Sequence, residues 1–263
     1  MINVTENITS RKNQTVIRAG RLYDRREREE RGEFFVEGIK LFDEAVGAGA
    51  DIREIFVTKT ALEKYESSIL RANPKKIYLL SDDVFSKLTE ENAPQGIFAV
   101  LGFFEPKTNE ISENPVALVL DEIGDPGNLG TIIRCADAMN VSCVYIGDNG
   151  VDLYNPKTVR ACMGSLFRVR AVRCNAREAV ERLKSDGYSV YAALLDERAR
   201  DVRNADLSGK IAFVIGNEGR GVSTDMASAC TGSIIIPMKS GVQSLNAAVA
   251  ASMLMWEAAR TRL

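Results

Sequence analysis

The sequence predicts two α/β domains, the second built on a parallel β-sheet with helices on both of its faces. Short runs of β-branched and aliphatic residues alternate with helix-prone segments along most of the 263 residues. Runs of about five such residues are long enough for a buried strand and too short for a helix. Repeated strand–helix units place parallel strands side by side, and the connecting helices cover both faces of the sheet.

The first hundred residues predict a smaller α/β domain. Four strand-like segments, EFFVEG, IREIFVT, KKIYLL and QGIFAVLGF, are separated by helix-prone stretches. Residues 1 to about 10 are predicted to be disordered or loosely attached, and residues 11–31 are polar and helix-prone. We assign residues 1–106 to the first domain, residues 107–115 to an aperiodic linker and residues 116–263 to the second domain.

The composition excludes several classes of catalysis. The chain has no histidine, so Ser–His and Cys–His catalysis, an imidazole base and a His-containing zinc site are all excluded. Five cysteines without a CxxC pair predict reduced thiols rather than disulfides or metal ligands, and we expect no metal. No apolar run approaches the ~18 residues of a membrane span. The N-terminus lacks an apolar core behind a basic start, so we expect a cytoplasmic protein without a membrane partner.

The charge distribution leaves two interpretations open for residues 11–31. The net charge of −2 does not by itself indicate a nucleic-acid-binding protein. Residues 11–31, however, hold eight basic and four acidic side chains. This local excess is compatible with a basic face that contacts RNA, although charge alone favours a solvated helix rich in ion pairs.

Three strands of the second domain end in loops of glycine and small polar residues. The strands are VALVL, IAFVI and SIII, and each loop leads to a helix, the first of which is predicted from Leu129. The loops and helix starts carry the candidate functional residues Asn128, Arg134, Gly216, Glu218, Ser244 and Asn246. Because the carboxyl ends of parallel strands share one edge of the sheet, we expect a ligand site there.

The order of these motifs resembles that of a known enzyme family. Asn128–Arg134 fits Asn-x-Gly-x-x-x-Arg, Gly216–Gly219 reads Gly-Asn-Glu-Gly, and Ile236–Met238 precedes a Ser-Leu-Asn stretch at Ser244–Asn246. In this order they resemble the SpoU family of RNA 2′-O-ribose methyltransferases, within the SPOUT superfamily, over about residues 115–263. The resemblance implies an S-adenosylmethionine cofactor, a C-terminal trefoil knot, a homodimer and a smaller RNA-binding domain.

The resemblance also implies roles for individual residues. It assigns the cofactor to the backbone and aliphatic groups of Gly216, Ile236 and Leu245, with the turn after Ala192-Ala193-Leu194 as a further wall. It assigns the chemistry at the ribose 2′-hydroxyl to a catalytic set of Arg134, Asn128, Glu218, Ser244 and Asn246. A guanidinium keeps its proton at neutral pH, so orientation and polarisation of the hydroxyl is an alternative to a role for Arg134 as base.

Several alternatives remain open from the sequence. Asn128 can cap a helix or position the ribose, Ser244 and Asn246 can be simple helix-start residues, and Arg220 can reach a phosphate. Ribosomal RNA is the preferred substrate because family members with a separate N-terminal domain often act on it. Transfer RNA 2′-O-methylation, methylation of a base and non-catalytic RNA binding by the same fold are the alternatives.

Overall fold

The computed structural model describes residues 2–104, 115–196 and 198–260. The linker predicted at 107–115 therefore lies outside the described residues, except for Pro115. None of the helices in this part of the chain has both the length and the hydropathy that crossing a bilayer requires.

The chain contacts divide the molecule into two compact units. Unit 1 comprises residues 1–105 and 154–167, and unit 2 comprises residues 106–153 and 168–263. The division follows the predicted domains except for residues 154–167, which the sequence places in the second domain.

Unit 1 is a five-stranded mixed sheet with short helices, within the described residues 2–104. Its strands are β1 (Glu6–Ile8), β2 (Glu33–Glu37), β3 (Ile52–Thr58), β4 (Lys76–Leu80) and β5 (Ile97–Gly102). The strand order is β1-β4-β3-β5-β2, and β5 runs in the direction opposite to the other four strands. The helices are α1 (Gln14–Gly20), α2 (Arg25–Arg31), α3 (Ile39–Gly47), α4 (Lys59–Lys64), α5 (Glu66–Ala72) and α6 (Asp82–Phe85), with a 3-10 helix at Arg21–Tyr23.

The N-terminal strand corrects the prediction that residues 1 to about 10 are loosely attached. β1 pairs in parallel with β4, from Glu6 opposite Tyr78 to Ile8 opposite Leu80. Ile8 is 2% exposed and packs in the same core as Leu80. Burial of this one aliphatic side chain, together with the strand pairing, holds the segment on the sheet.

Most arginines of the basic stretch 11–31 pair with carboxylates, some within the stretch and others elsewhere in unit 1. Arg25 pairs with Glu29 at 2.8 Å and Arg26 with Glu30 at 2.6 Å, each one helical turn apart. Arg28 is buried and donates to the carbonyl oxygens of residues 22 and 23. Of the two interpretations, the structure favours the helix rich in ion pairs.

Unit 2 contains a seven-stranded sheet in its described part, and every strand pairing is parallel. The strands are β6 (Val116–Leu120), β7 (Cys143–Gly147), β8 (Ala171–Cys174), β9 (Ser189–Ala193), β10 (Arg200–Asp201), β11 (Ile211–Ile215) and β12 (Gly232–Ile235). The helices in the intervening and flanking segments are α7 (Pro126–Ala138), α8 (Pro156–Ala161), α9 (Ala176–Ser185), α10 (Thr224–Ala229) and α11 (Ala247–Ala259). The order β10-β12-β9-β11-β6-β7-β8 confirms the predicted α/β fold with a parallel sheet.

Alternation along the strands separates two helical layers in unit 2. Ala117, Val119, Ala212 and Val214 pack against α9 and α10 in one buried cluster. α7 and α11 pack against each other, and α11 also packs on β11 and β6. Because successive side chains of a strand point to opposite faces, the α7–α11 pair covers the other face of the sheet.

Residues 154–167, which include α8, follow β7 in sequence but fold with unit 1. α8 packs against β2. The Tyr154 hydroxyl donates to the Phe104 carbonyl oxygen at 2.8 Å and accepts from the Phe104 amide at 3.0 Å. These two hydrogen bonds fix the start of the segment to the residues that directly follow β5.

We expect Phe34→Ala to destabilise unit 1, including its residues 154–167. Phe34 is fully buried, and its ring centroid lies 4.6 Å from that of Tyr154 and 6.3 Å from that of Phe167. Truncation of a buried phenylalanine costs about 3–5 kcal/mol of unfolding free energy, measurable by denaturant titration. Hydrogen exchange in 154–167 should rise as well, and unchanged exchange there would contradict the assignment. Leu70→Ala, at a side chain that is 54% exposed, is the control and should change little.

Candidate active site and cofactor cavity

The loops at the carboxyl ends of β9, β11 and β12 enclose a cavity of about 500 Å³ in unit 2. These strands are neighbours in the sheet, so their loops meet at one edge. The three residues predicted to hold the cofactor, Gly216, Ile236 and Leu245, all line the cavity. Ala193 and Leu194 line it too, where the sequence places a further wall. Its volume lies in the range of small-molecule sites, about 300–1,000 Å³.

Gly216 allows the chain to turn back onto the end of β11. A Cβ atom at this position would lie well inside 3.0 Å of backbone atoms of Gly221 and Val222, a distance that real side chains do not show. Asn217 and Gly221 form an isolated bridge, and the Gly221 amide donates to the Asn217 carbonyl oxygen at 2.8 Å. The turn therefore returns into the space that a side chain at residue 216 would occupy, and Gly216 itself lines the cavity.

Asn217 holds this turn and connects it to the loop after β6. Its Oδ1 accepts from the amides of Gly219 at 3.0 Å and Arg220 at 3.2 Å. Its Nδ2 donates to the Glu122 carbonyl oxygen at 2.9 Å. Glu122 has a φ of 59°, and its carboxylate pairs with Arg220 at 2.6 Å. The sequence gives no sign of this connection because 95 residues separate Asn217 from Glu122.

Glu218 joins the same two loops through its carboxylate. Oε2 accepts from the Gly124 amide at 3.1 Å, and Oε1 accepts from the Asp125 amide at 3.2 Å. Oε1 also accepts from Nδ2 of Asn128 at 2.8 Å. Partial burial acts to raise the pKa of Glu218, but these hydrogen bonds outweigh it and lower the pKa below its ordinary value. Glu218 is therefore ionised at neutral pH and holds three donors in place.

Asn246 extends this network to the third loop. Its Nδ2 donates to Oδ1 of Asn128 at 2.9 Å. Its own Oδ1 accepts from the amides of Ala248 at 2.9 Å and Val249 at 3.2 Å, which caps α11. Asn246 is thus a helix-start residue and also a member of the network, while its part in catalysis stays a prediction.

Asn128 does not cap a helix, because α7 begins earlier than predicted. The helix starts at Pro126 rather than Leu129, and Oδ1 of Asp125 caps it by accepting from the Asn128 amide at 2.8 Å. An aspartate followed by proline is a helix-start signal that the sequence already contained. Asn128 lies within the first turn of α7, and its side chain forms hydrogen bonds with both Glu218 and Asn246.

Arg134 and Ser244 stand outside this network. Arg134 lies six residues after Asn128 on α7, about 9 Å further along the helix axis. It is exposed and forms no hydrogen bond or ion pair with any described residue. Ser244 is also exposed and lines the cavity, whereas Arg134 does not.

The cysteines supply no reactive group to this site. All five lie in the described residues and are free thiols, as predicted, with Cys143 and Cys162 buried. Burial raises the pKa of Cys143 to about 11 and that of Cys162 to about 12, so both stay protonated at neutral pH. Among the described residues, no group of three or more histidines, cysteines and carboxylates is arranged to hold a metal ion.

The fold and the site together define an α/β enzyme with a ligand cavity at the strand ends. The chain belongs to the SpoU rRNA Methylase family, whose model matches residues 115–256. An MRM3-like substrate binding domain matches residues 13–99. The resemblance inferred from the three motifs is thereby confirmed.

Relatives of known name extend along nearly the whole chain. The 23S rRNA (guanosine(2553)-2′-O)-methyltransferase RlmP of Bacillus subtilis is 36% identical over 95% of this chain and 97% of its own length. A 23S rRNA (uridine(2479)-2′-O)-methyltransferase of Streptomyces viridochromogenes is 32% identical, with 92% and 88% covered. Among solved structures, the AdoMet-bound rRNA methyltransferase from Sinorhizobium meliloti superposes with a TM-score of 0.87, at 28% identity and 98% coverage of both chains.

We expect Gly216→Ala to abolish cofactor binding while leaving most of the fold intact. The added methyl group must displace the 217–221 turn because it has no room against the backbone of Gly221 and Val222. Isothermal titration with S-adenosylmethionine measures the loss. Gly219→Ala is the matched control, since a Cβ there would lie 3.6 Å from Oδ1 of Asn217, an ordinary contact. Wild-type affinity in Gly216→Ala would remove the turn from the binding site.

Proposed function

We propose that this chain transfers a methyl group from S-adenosylmethionine to a ribose 2′-hydroxyl of 23S ribosomal RNA. The observation that carries the proposal is the cavity beside the hydrogen-bonded set Asn128, Glu218 and Asn246, built by the three sequence motifs of the family. The Bacillus subtilis and Streptomyces viridochromogenes relatives are named for this reaction on 23S rRNA.

The cavity fits the cofactor by its shape and its chemistry. Leu194, Ile236 and Leu245 provide aliphatic walls for a flat adenine ring, and the bare backbone at Gly216 provides peptide groups for its polar edge. When bound, S-adenosylmethionine supplies an electrophilic methyl group on its sulfonium. Ser244 adds a hydroxyl to the lining.

Arg134 is the residue that we assign to the ribose. Its guanidinium is exposed and has no partner among the described residues, so its donors are available to the ribose hydroxyl and to a neighbouring phosphate. Such donors orient and polarise the hydroxyl in line with the methyl group. As the hydroxyl oxygen takes the methyl group, the sulfonium becomes a thioether and the hydroxyl proton passes to another oxygen, such as that of water or a phosphate. Asn128, Glu218 and Asn246 act by holding the three loops in register around this position.

The substrate class is better supported than the target nucleotide. One relative is named for a guanosine and the other for a uridine of 23S rRNA. Ribosomal RNA is therefore preferred over transfer RNA, and the base at the methylated nucleotide stays unassigned. A ribosomal substrate also favours a cytoplasmic protein, and unit 1 is the part that we expect to bind the RNA.

A homodimer belongs to the same proposal. Val249, Met253 and Trp256 are 47%, 46% and 51% exposed and recur on one face of α11 at helical spacing. A contiguous apolar face of this kind is costly in water and is typical of a contact between subunits. We expect a second copy of the chain to cover it. The trefoil knot that the resemblance implies for this domain stays a prediction.

Arg134→Ala should lower methyl transfer roughly 100-fold or more, the order of effect of losing one positioned donor. The assay follows tritiated methyl groups from S-adenosylmethionine into unmodified 23S rRNA and transfer RNA. Nuclease digestion then shows whether the label lies on a ribose or on a base. Cofactor affinity should be unchanged. Arg182→Ala, at an exposed arginine of α9, is the matched control and should stay active. Full activity of Arg134→Ala would exclude Arg134 from the mechanism.

Trp256→Glu should convert the dimer into a monomer, because a carboxylate would be buried in the contact between subunits. Light scattering after size-exclusion chromatography measures the mass directly. Leu70→Glu, at another exposed apolar side chain, controls for the added charge and should stay dimeric. A monomeric wild-type protein at micromolar concentration would contradict the proposal.

A further inference from the structure

Unit 1 contains a cavity of its own, about 490 Å³ in volume, which we call the unit 1 cavity. It lies at the carboxyl ends of β3 and β4, and its lining includes Thr60, Lys64, Tyr65, Asp82 and Gln95. None of these residues was singled out by the sequence motifs. The full lining includes two aromatic rings, those of Tyr65 and the buried Phe85, together with one cation and one carboxylate.

The rim of the unit 1 cavity is fixed by backbone geometry. Gly96 has a φ of 74°, and a Cβ there would collide with the Thr58 hydroxyl. The Gly96 carbonyl oxygen accepts from the Thr58 amide at 2.9 Å. Oε1 of Gln95 accepts from the Ile39 amide at 2.9 Å, which ties the rim to the start of α3. The cavity is therefore held open by contacts that need no ligand.

Some polar groups of the unit 1 cavity are already used by the protein, and others are available. The Thr58 hydroxyl accepts from the Ala61 amide, and the Ser86 hydroxyl donates to a carbonyl oxygen. In contrast, the side chains of Lys64 and Asp82 form no hydrogen bond or ion pair with any described residue. Many arginines of unit 1 are paired with carboxylates. Lys64 and Asp82 differ from them because both lie in one concave surface without an ion-pair partner among the described residues.

We propose that the unit 1 cavity holds one unstacked nucleobase of the RNA substrate. Tyr65 is half-buried and forms a flat wall on which a base can stack, and proteins recognise single-stranded RNA mainly in this way. The Lys64 ammonium lies over the Tyr65 ring, 5.3 Å from its centre; a base that stacks on this face takes the place of the ammonium, and the flexible lysine side chain then meets the phosphate of the same nucleotide. The inference rests on the proposed RNA methyltransferase function.

Asp82 indicates which bases the unit 1 cavity accepts. A carboxylate receives hydrogen bonds from the exocyclic amino groups of adenine, cytosine and guanine. Uracil has no exocyclic amino group and can donate only through its ring N3–H, which lies between two carbonyl oxygens that a carboxylate repels. The free carboxylate at Asp82 therefore favours an amino-bearing base over uracil.

The same charges favour a nucleotide within a chain over a free nucleotide. Lys64 supplies one positive charge, and Asp82 adds a negative one to the same lining. A free nucleoside triphosphate carries several negative charges, which this lining does not neutralise. A nucleotide within RNA carries a single backbone charge.

The test measures binding of the full chain to fluorescein-labelled oligomers of adenosine, cytidine or uridine by anisotropy. Tyr65→Ala should raise Kd about 5- to 150-fold for the adenosine oligomer, the range expected for one stacked base. Tyr65→Phe keeps the ring and should bind like wild type. Lys64→Ala should weaken binding of all three oligomers, whereas Lys59→Ala, at the preceding turn outside the cavity, should not.

Base preference tests Asp82 separately. Wild type should bind the adenosine and cytidine oligomers more tightly than the uridine oligomer, and Asp82→Ala should remove that difference. Asp83→Ala is the matched control, because Asp83 pairs with Arg11 and lies outside the cavity lining. Since Lys64 and Asp82 are exposed, their variants should fold even if Tyr65→Ala does not.

The inference is overturned if wild type binds none of the oligomers, or if the Tyr65, Lys64 and Asp82 variants all bind them like wild type. Tighter binding of free AMP than of the adenosine oligomer would also overturn it. Methyl transfer to 23S rRNA is measured in parallel. Transfer by wild type with an unchanged KM in Lys64→Ala and Tyr65→Ala would reject the unit 1 cavity alone. Absence of transfer by wild type would reject the proposed function instead.

Discussion

The candidate site depends on the carboxylate of Glu218. It is the acceptor for the amides of Gly124 and Asp125 and for the side chain of Asn128, which in turn accepts from Asn246. Three segments from distant parts of the sequence are thus held by one anion and two side-chain amides. Hydrogen bonds to a charged group contribute about 1.5–3 kcal/mol each when protected from water, and less when exposed as here. Their greater value is geometric, since they fix the loops before a ligand arrives.

Backbone geometry provides what this network cannot. Side chains close a cavity, whereas a cofactor with a flat ring and a polar edge needs bare peptide groups near an apolar wall. The absence of a side chain at Gly216 lets the turn return against Gly221 and leaves the peptide groups accessible. The aliphatic wall comes from the end of β9, which pairs with β11, and from the end of β12, which pairs with the other side of β9. A parallel sheet therefore places the peptide groups at the end of β11 next to the aliphatic wall from β9 and β12.

The sequence predicts the elements of this fold well because they have local causes. The buried runs of β6 and β11 and the glycine turn after β11 are visible in the order of residues alone. The short strand at Glu6–Ile8 is not, because it pairs with a strand 72 residues away and has little apolar sequence of its own. The placement of residues 154–167 in unit 1 depends on Tyr154 reaching the backbone of Phe104, which no local pattern records. The motif resemblance nominated residues that the structure brings together, such as Asn128, Glu218 and Asn246, but not the hydrogen bonds between them.

Charge in unit 1 constrains how the protein can bind RNA. A surface that neutralises many phosphates would leave its arginines unpaired, yet Arg25, Arg26 and Arg31 are each paired with a carboxylate one turn away. Release of counterions from the RNA backbone then provides a smaller part of the binding free energy. More must come from shape and from contacts with bases, which carry specificity for single-stranded RNA. A mildly acidic chain can therefore recognise a structured RNA, provided that a few free groups such as Lys64 and Arg134 lie where the substrate meets them.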